Sequence, residues 1–144
     1  MNLPTVLYVE DEADDVLFMQ AAFRRIGLSA LLHAVMDGQQ AIAYLAGEGA
    51  FGDRSRHPLP AVVLLDLNLP VQSGFEVLAW IRRQPQFRQL PVIVFSSSGR
   101  TEDRHRAAEL GATDYALKPA SGMQFGDVVR AVKDGWLATA GGGA

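Results

Sequence analysis

The 144-residue chain predicts an α/β protein built on a parallel sheet with helices covering both faces. Three observations carry this prediction. Strand-like and helix-like segments alternate five times. The strand-like segments are continuous apolar runs, such as Val62-Val63-Leu64-Leu65, where a strand with one wet face would alternate apolar and polar residues. The runs end in polar residues, at Glu10-Asp11, Asp66, Ser96 and Lys118, which is where a doubly wound sheet presents its chemistry.

The elements follow in order. Thr5 to Val9 is a β-prone run ending in Glu10-Asp11-Glu12. From Ala13 the apolar residues Val16, Met19, Phe23 and Ile26 fall at helical spacing, and Gly27 stands where a helix C-cap would. Leu28 to Val35 reads as a second strand, Asp37-Gly38 as a turn, and Ala41, Ile42 and Leu45 as a second helix. Gly47 to Pro60, rich in Gly, Arg, Ser and Pro, reads as an exposed loop. Ala61 to Leu65 is the third strand, and Ser73 is placed to N-cap a helix carrying Phe75, Leu78 and Ile81. Pro91 to Phe95 is the fourth strand, followed by a charged helix from Thr101 to Leu110 that stops at Gly111. Asp114 to Leu117 is the fifth strand, and Phe125, Val128, Val129, Val132 and Trp136 form one stripe of a last helix. Gly38, Gly111 and Gly122 read as turn and cap positions. One domain is expected over residues 1–139, with the Gly/Ala tail 140–144 disordered.

Composition narrows the function classes. Hydrophobic residues make up 49% and charged residues 20%, as in ordinary globular domains. No apolar run approaches the ~20 residues of a membrane span, and Met1-Asn2-Leu3-Pro4 does not open a signal peptide. The absence of cysteine excludes disulfides and thiolate chemistry and fits a cytoplasmic location. A net charge of −3 argues against a nucleic-acid partner.

The strand ends bring the candidate site. Each residue has a bland alternative: Glu10-Asp11 as helix-capping acids, Asp66 as a turn residue, Ser96 as a loop hydroxyl, Lys118 as a solvated turn. Together they would converge on one edge of a parallel sheet. Three neighbouring carboxylates repel and require counter-charge, which a hard divalent cation such as Mg²⁺ supplies through oxygen ligands. Metal, ammonium and hydroxyl together suit the oxygens of a phosphoryl group in transfer. Asp66 is the natural nucleophile, because carboxylates form aspartyl-phosphates.

On "LYVEDEADD", "VVLLDLNLPVQSG", "VIVFSSSG" and "ATDYALKP", the chain resembles the receiver domains of two-component response regulators over nearly its whole length. The resemblance implies a flavodoxin-like, doubly wound sheet of five parallel strands in the order 2-1-3-4-5, with five helices. It implies that Asp66 accepts phosphate from a phosphohistidine on a sensor histidine kinase. It implies that Asp11, Asp66 and the backbone carbonyl of Asn68 bind Mg²⁺, or Mn²⁺, with Glu10 holding a metal-bound water. Ser96 and Lys118 would contact the phosphoryl group, Tyr115 would be an aromatic switch that turns inward as Ser96 moves, and Pro119 would follow a cis peptide bond. Ser96 stands where Thr is also common in the family and keeps the donor, while Ser97 replaces a frequent Ala and would narrow access slightly. "VEDEADD", the long loop, "DLNLP" and "DGWLATA" are similar to a stand-alone subgroup that includes partners of bacteriophytochrome-type kinases. In that subgroup no DNA-binding domain is expected to follow the fifth helix. A homodimer through the fourth helix, fifth strand and last helix is expected, with Trp136-Leu137 adding apolar area at its edge.

His33, His57 and His105 share no segment and no ligand spacing, so they read as structural or solvated. Arg100, Arg104, His105 and Arg106 read as a solvated helix face or a partner face. Two other functions compete with a phosphoacceptor module that catalyses only its own phosphorylation and dephosphorylation. One is a phosphohydrolase with Asp66 as nucleophile. Against it, position 68 is Asn, which cannot serve as a general acid two residues on. The other is a phosphorylation-independent pseudo-receiver, disfavoured because the acids, Ser96 and Lys118 are all present.

Overall fold

The computed structural model describes residues 3–121 and 124–137. Its strands are β1 (Thr5–Val9), β2 (Leu31–Val35), β3 (Val62–Leu65), β4 (Val92–Ser96) and β5 (Asp114–Leu117). All neighbours pair in parallel, in the order β2-β1-β3-β4-β5. The helices are α1 (Ala13–Ile26), α2 (Gly38–Ala46), α3 (Gly74–Arg83), α4 (Thr101–Glu109) and α5 (Gly126–Ala131). The expected α/β architecture and strand order are both present. Gly122 and the tail 140–144 lie outside the described residues.

Side chains alternate across a strand, and both faces of this sheet are covered. Leu7, Val9, Val63, Leu65, Val92 and Val94 point to one side, where α2, α3 and α4 pack with Tyr44, Leu45, Val77, Leu78, Ile81 and Ala107. Val6, Tyr8, Val62, Leu64, Ile93 and Phe95 point to the other, against Met19, Ala22 and Phe23 of α1 and Val128 and Val129 of α5. Every residue of β1, β3 and β4 is therefore buried, which is why those runs are unbroken in apolar character. The edge strands β2 and β5 are only partly covered.

Local signals set the helix ends. Gly27 adopts φ 71°, and its N–H donates to the Phe23 and Arg24 carbonyls. The Leu28 N–H also donates to Phe23 O, which holds Leu28 in the cap and delays β2 to Leu31. Asp37 caps α2 by accepting from the Gln40 N–H at 2.7 Å, and Ser73 caps α3 by accepting from the Glu76 N–H at 3.3 Å.

Two expectations are sharpened, and two need correction. Gly47 to Pro60 is a fastened flap: it forms a short 3₁₀ turn, Gly49–Gly52, and Arg54 donates to the Tyr44 and Leu45 carbonyls at the end of α2 and to His57 O. A guanidinium suits the unpaired carbonyls of a helix C-terminus. His33 and His57 meet there, with ring centroids 6.2 Å apart beside Tyr44 and Phe51; they share an aromatic packing role that their spacing concealed. The Lys118–Pro119 bond is trans, since no cis peptide occurs among the described residues. Trans is the lower-energy isomer of X–Pro by roughly 0.5–1 kcal/mol, and with it Lys118 still reaches the acids. Finally, α5 widens into a π turn, Val132–Trp136, in which the Leu137 N–H donates to Val132 O. The extra residue shifts the helix phase. Leu137 becomes 8% exposed and Trp136 packs partly against the core, so this pair does not supply a free apolar edge.

Gly38 and Gly74 owe their identity to close approach. A Cβ on Gly38, the first residue of α2, would lie 2.5 Å from Gln72 O, and one on Gly74 would lie 2.2 Å from Asp66 O and 2.7 Å from the Leu67 Cα. Gly74 thus lets α3 start directly against the backbone that carries Asp66. Gly74→Ala is expected to cost about 2–3 kcal/mol of folding stability, as overpacking against an unyielding neighbour does, and urea unfolding measures it.

Candidate functional site

The sheet order places the carboxyl ends of β1, β3, β4 and β5 side by side. Asp66 follows β3 directly, and its N–H donates to Val9 O at 3.1 Å, which ties it to the end of β1. Its side chain is nearly buried. One carboxylate oxygen, Oδ1, accepts from the Asn68 N–H at 3.1 Å, and the other, Oδ2, accepts from the Lys118 ammonium at 3.1 Å. The loop beyond is tightly wound. The Gln72 N–H donates to Pro70 O, closing a γ-turn on Val71, and the Gly74 N–H donates to Leu67 O. Val71 has φ 70°, alone among the described non-glycine residues in the left-handed region, and it is exposed. A β-branched residue there is strained by roughly 1–2 kcal/mol.

Glu10 is fully buried. Its carboxylate accepts from the Lys118 ammonium at 2.6 Å, from the Tyr8 hydroxyl at 3.2 Å and from the Glu12 N–H at 3.2 Å. Burial pushes the Glu10 carboxyl up to about 7; the hydrogen bond from Lys118 opposes this, while the charge of Asp66 adds to it. Burial likewise raises the Tyr8 phenol, helped by the charges of Glu10, Asp15 and Asp66. For Lys118, burial favours the neutral amine, but hydrogen bonds to Glu10 and Asp15 and the charge of Asp66 outweigh it and hold the ammonium above its ordinary range.

Asp11 is exposed at the rim. Glu10, Asp11 and Asp66 each offer an oxygen, all within 4.8 Å of one another. Hard carboxylate oxygens at that spacing fit Mg²⁺ or Mn²⁺. The Asn68 N–H reaches the same edge, on Asp66 Oδ1.

Ser96 closes β4 at the same sheet edge, and the hydroxyls of Ser96 and Tyr115 both bond to the β4–α4 loop. Ser96 is buried, and its hydroxyl accepts from the Ser98 N–H at 3.2 Å. The Lys118 N–H donates to Ser96 O, which locks the end of β5 to β4. Tyr115 donates its hydroxyl to Ser98 O at 2.7 Å, and the Arg104 guanidinium sits 4.7 Å above its ring. Arg106 likewise stacks over Phe75 at 4.2 Å. Two cations of α4 therefore cover aromatic rings, and the helix is not simply a solvated face.

The expected residues Glu10, Asp11, Asp66 and Lys118 are thus drawn together; Ser96 is joined to Lys118 through the backbone, and Tyr115 is engaged with the β4–α4 loop. One participant escaped sequence reasoning. Asp15 accepts from the Lys118 ammonium at 2.9 Å across the site, with only 16% of its side chain exposed.

A family model described as "Response regulator receiver domain" matches residues 6–130. Three solved structures are similar over nearly the whole chain. The response regulator RPA3017 in red light signaling of R. palustris has a TM-score of 0.88 and 37% identity, covering 95% of this chain and 96% of that one. The phosphorylated cyanobacterial phytochrome response regulator RcpA has a TM-score of 0.86 and 33% identity, covering 96% of each chain. The Mn(2+)-bound form of response regulator Rcp1, a protein of Synechocystis, has a TM-score of 0.82 and 31% identity, covering 94% of this chain and 96% of that one.

The raised Glu10 carboxyl has a pH signature. Between the ordinary glutamate value of 4.5 and about 7, the folded chain keeps a proton that the unfolded chain has lost. Folding stability from this residue therefore falls as pH rises through that window and levels off above it. Urea unfolding in chelator at pH 5, 6, 7 and 8 is expected to show that slope, and Glu10→Gln to flatten it.

Proposed function

Because the chain belongs to the response regulator receiver domain family, we propose that it is a two-component phosphoacceptor in which Asp66 takes a phosphoryl group from a sensor histidine kinase. The observation that carries this reading is the Lys118 ammonium held between Glu10 and Asp66 at the strand ends, with Asp11 completing three convergent acids. The likeness to regulators of phytochrome and red-light signalling supports a bacteriophytochrome-type kinase as the donor.

In the proposed transfer, an Asp66 carboxylate oxygen forms a bond to phosphorus as the bond from phosphorus to the donor imidazole breaks, with the imidazole leaving. Glu10, Asp11, Asp66 and the Asn68 carbonyl would hold Mg²⁺, Glu10 through water, and the Mn(2+)-bound relative supports a divalent ion at this edge. Such an ion would supply positive charge against the phosphoryl oxygens. Lys118 gives a second fixed positive charge beside Asp66, with N–H donors that can pass to those oxygens as its present acceptors release them. Ser96 can contribute once its hydroxyl turns from the Ser98 N–H toward the site. That turn would loosen the β4–α4 loop where Tyr115 is anchored, so the phosphoryl group and the α4–β5–α5 surface would be coupled through Ser96, Ser98 and Tyr115.

Incubation with Mg²⁺ and acetyl phosphate is expected to add one phosphoryl group by intact mass. Asp66→Asn should abolish the gain, because an amide is a poor nucleophile; equal labelling of the variant would move the acceptor elsewhere. Lys118→Ala should disturb the conformational response more than uptake; a normal response in that variant would remove the lysine from signal transmission. Phosphorylation is also expected to promote a homodimer through α4, β5 and α5, where Leu117 is 51% exposed. Light scattering with and without phosphoryl donor tests this, and a strict monomer in both states at high micromolar concentration would exclude self-association as the output.

A further inference from the structure

We propose that Asp15 is a positioning residue for Lys118: a resting counter-ion that competes with the phosphoryl group for the lysine ammonium and so weakens the phosphorylated state. This rests on the receiver reading above. An ammonium has three N–H donors. In this structure all three have acceptors, Glu10 Oε1 at 2.6 Å, Asp15 Oδ2 at 2.9 Å and Asp66 Oδ2 at 3.1 Å. A phosphoryl group arriving on Asp66 can take over the donor now given to Asp66 Oδ2, but it gains a further donor from Lys118 only by displacing Glu10 or Asp15. Glu10 is fully buried and has no other cation among the described residues' ion pairs, so it holds its share tightly. Asp15 comes from a different element, the first turn of α1, and stands outside the acid triplet that suits a metal. Its contact is therefore a separate claim on the lysine. With 12% of the lysine and 16% of the aspartate side chain exposed, water screens that claim poorly.

The test is the affinity for beryllofluoride, a stable phosphoryl mimic, at saturating Mg²⁺ and fixed ionic strength, measured by calorimetry or by fluorine NMR on the intact chain. Asp15→Asn keeps the shape and removes the charge, and it should bind the mimic about three- to ten-fold more tightly. Asp15→Ala should change in the same direction, and Asp15→Glu should stay near the parent value. Circular dichroism melts identify any variant that is unfolded, and the two neutral substitutions give independent readings. The decisive comparison is made in a Lys118→Ala background. There Asp15→Asn should lose its effect, because nothing remains for the carboxylate to hold. An undiminished gain in that background would mean general charge removal and would overturn the proposal, as would unchanged or weaker binding by Asp15→Asn in the parent. If the parent binds the mimic and Asp15→Asn does not differ from it, only the role of Asp15 falls. If the parent takes up neither beryllofluoride nor acetyl phosphate, the receiver reading fails and this inference falls with it.

Discussion

One ammonium has to serve three carboxylates that come from three different parts of the chain. Lys118 at the end of β5 pairs with Glu10 after β1, Asp15 in α1 and Asp66 after β3. A buried acid such as Glu10 is costly unless it is neutralised or paired, and here pairing is possible only if the ends of β1, β3 and β5 stand in register. The sheet delivers that register: Val9 pairs with Leu65, Leu65 with Val94, and Val94 with Tyr115. Fold and site therefore constrain each other. A strand slipped by one residue would carry every core side chain to the opposite, differently packed face and would also separate the lysine from its acids.

The approach of backbone to backbone is the second constraint. The loop that follows Asp66 turns within a few residues, through a strained Val71 and into Gly74, which sits against the Asp66 carbonyl. This winding keeps the Asn68 N–H on Asp66 Oδ1 while Lys118 holds Oδ2, so both oxygens of the Asp66 carboxylate are oriented. Preorganised donors and charges of this kind need no rearrangement when new charge develops. Across the site, Ser96 is held differently. Its hydroxyl is engaged by its own loop, which leaves it free to turn at the expense of one weak hydrogen bond, and the same loop holds Tyr115.

Particular residues show what could be read in advance. The unbroken run of Val62 to Leu65 predicted a strand buried on both faces, and the polar residues closing four of the five strands predicted a shared edge. Glu10, Asp11, Asp66 and Lys118 were legible because each stands at a strand end. Asp15 was not, since an acid in the first turn of a helix is explained equally well by favourable interaction with the helix dipole. His33 and His57 were similarly opaque, because a contact between residues 24 positions apart depends on how the flap is fastened by Arg54. The π turn that buries Leu137 breaks a 3.6-residue stripe by a single added residue, and periodicity alone extends the stripe to Trp136.

The sequence by itself determined the alternation of strand and helix, the helix caps at Gly27 and Ser73, and which polar residues close four of the five strands, because these follow from local backbone chemistry and from side-chain period. Tertiary structure alone decided which carboxylates share Lys118, how the Ser96 and Tyr115 hydroxyls are occupied, and why positions 38 and 74 must be glycine. Those outcomes depend on distances between segments far apart in the chain, and such distances exist only once the sheet has ordered its strands.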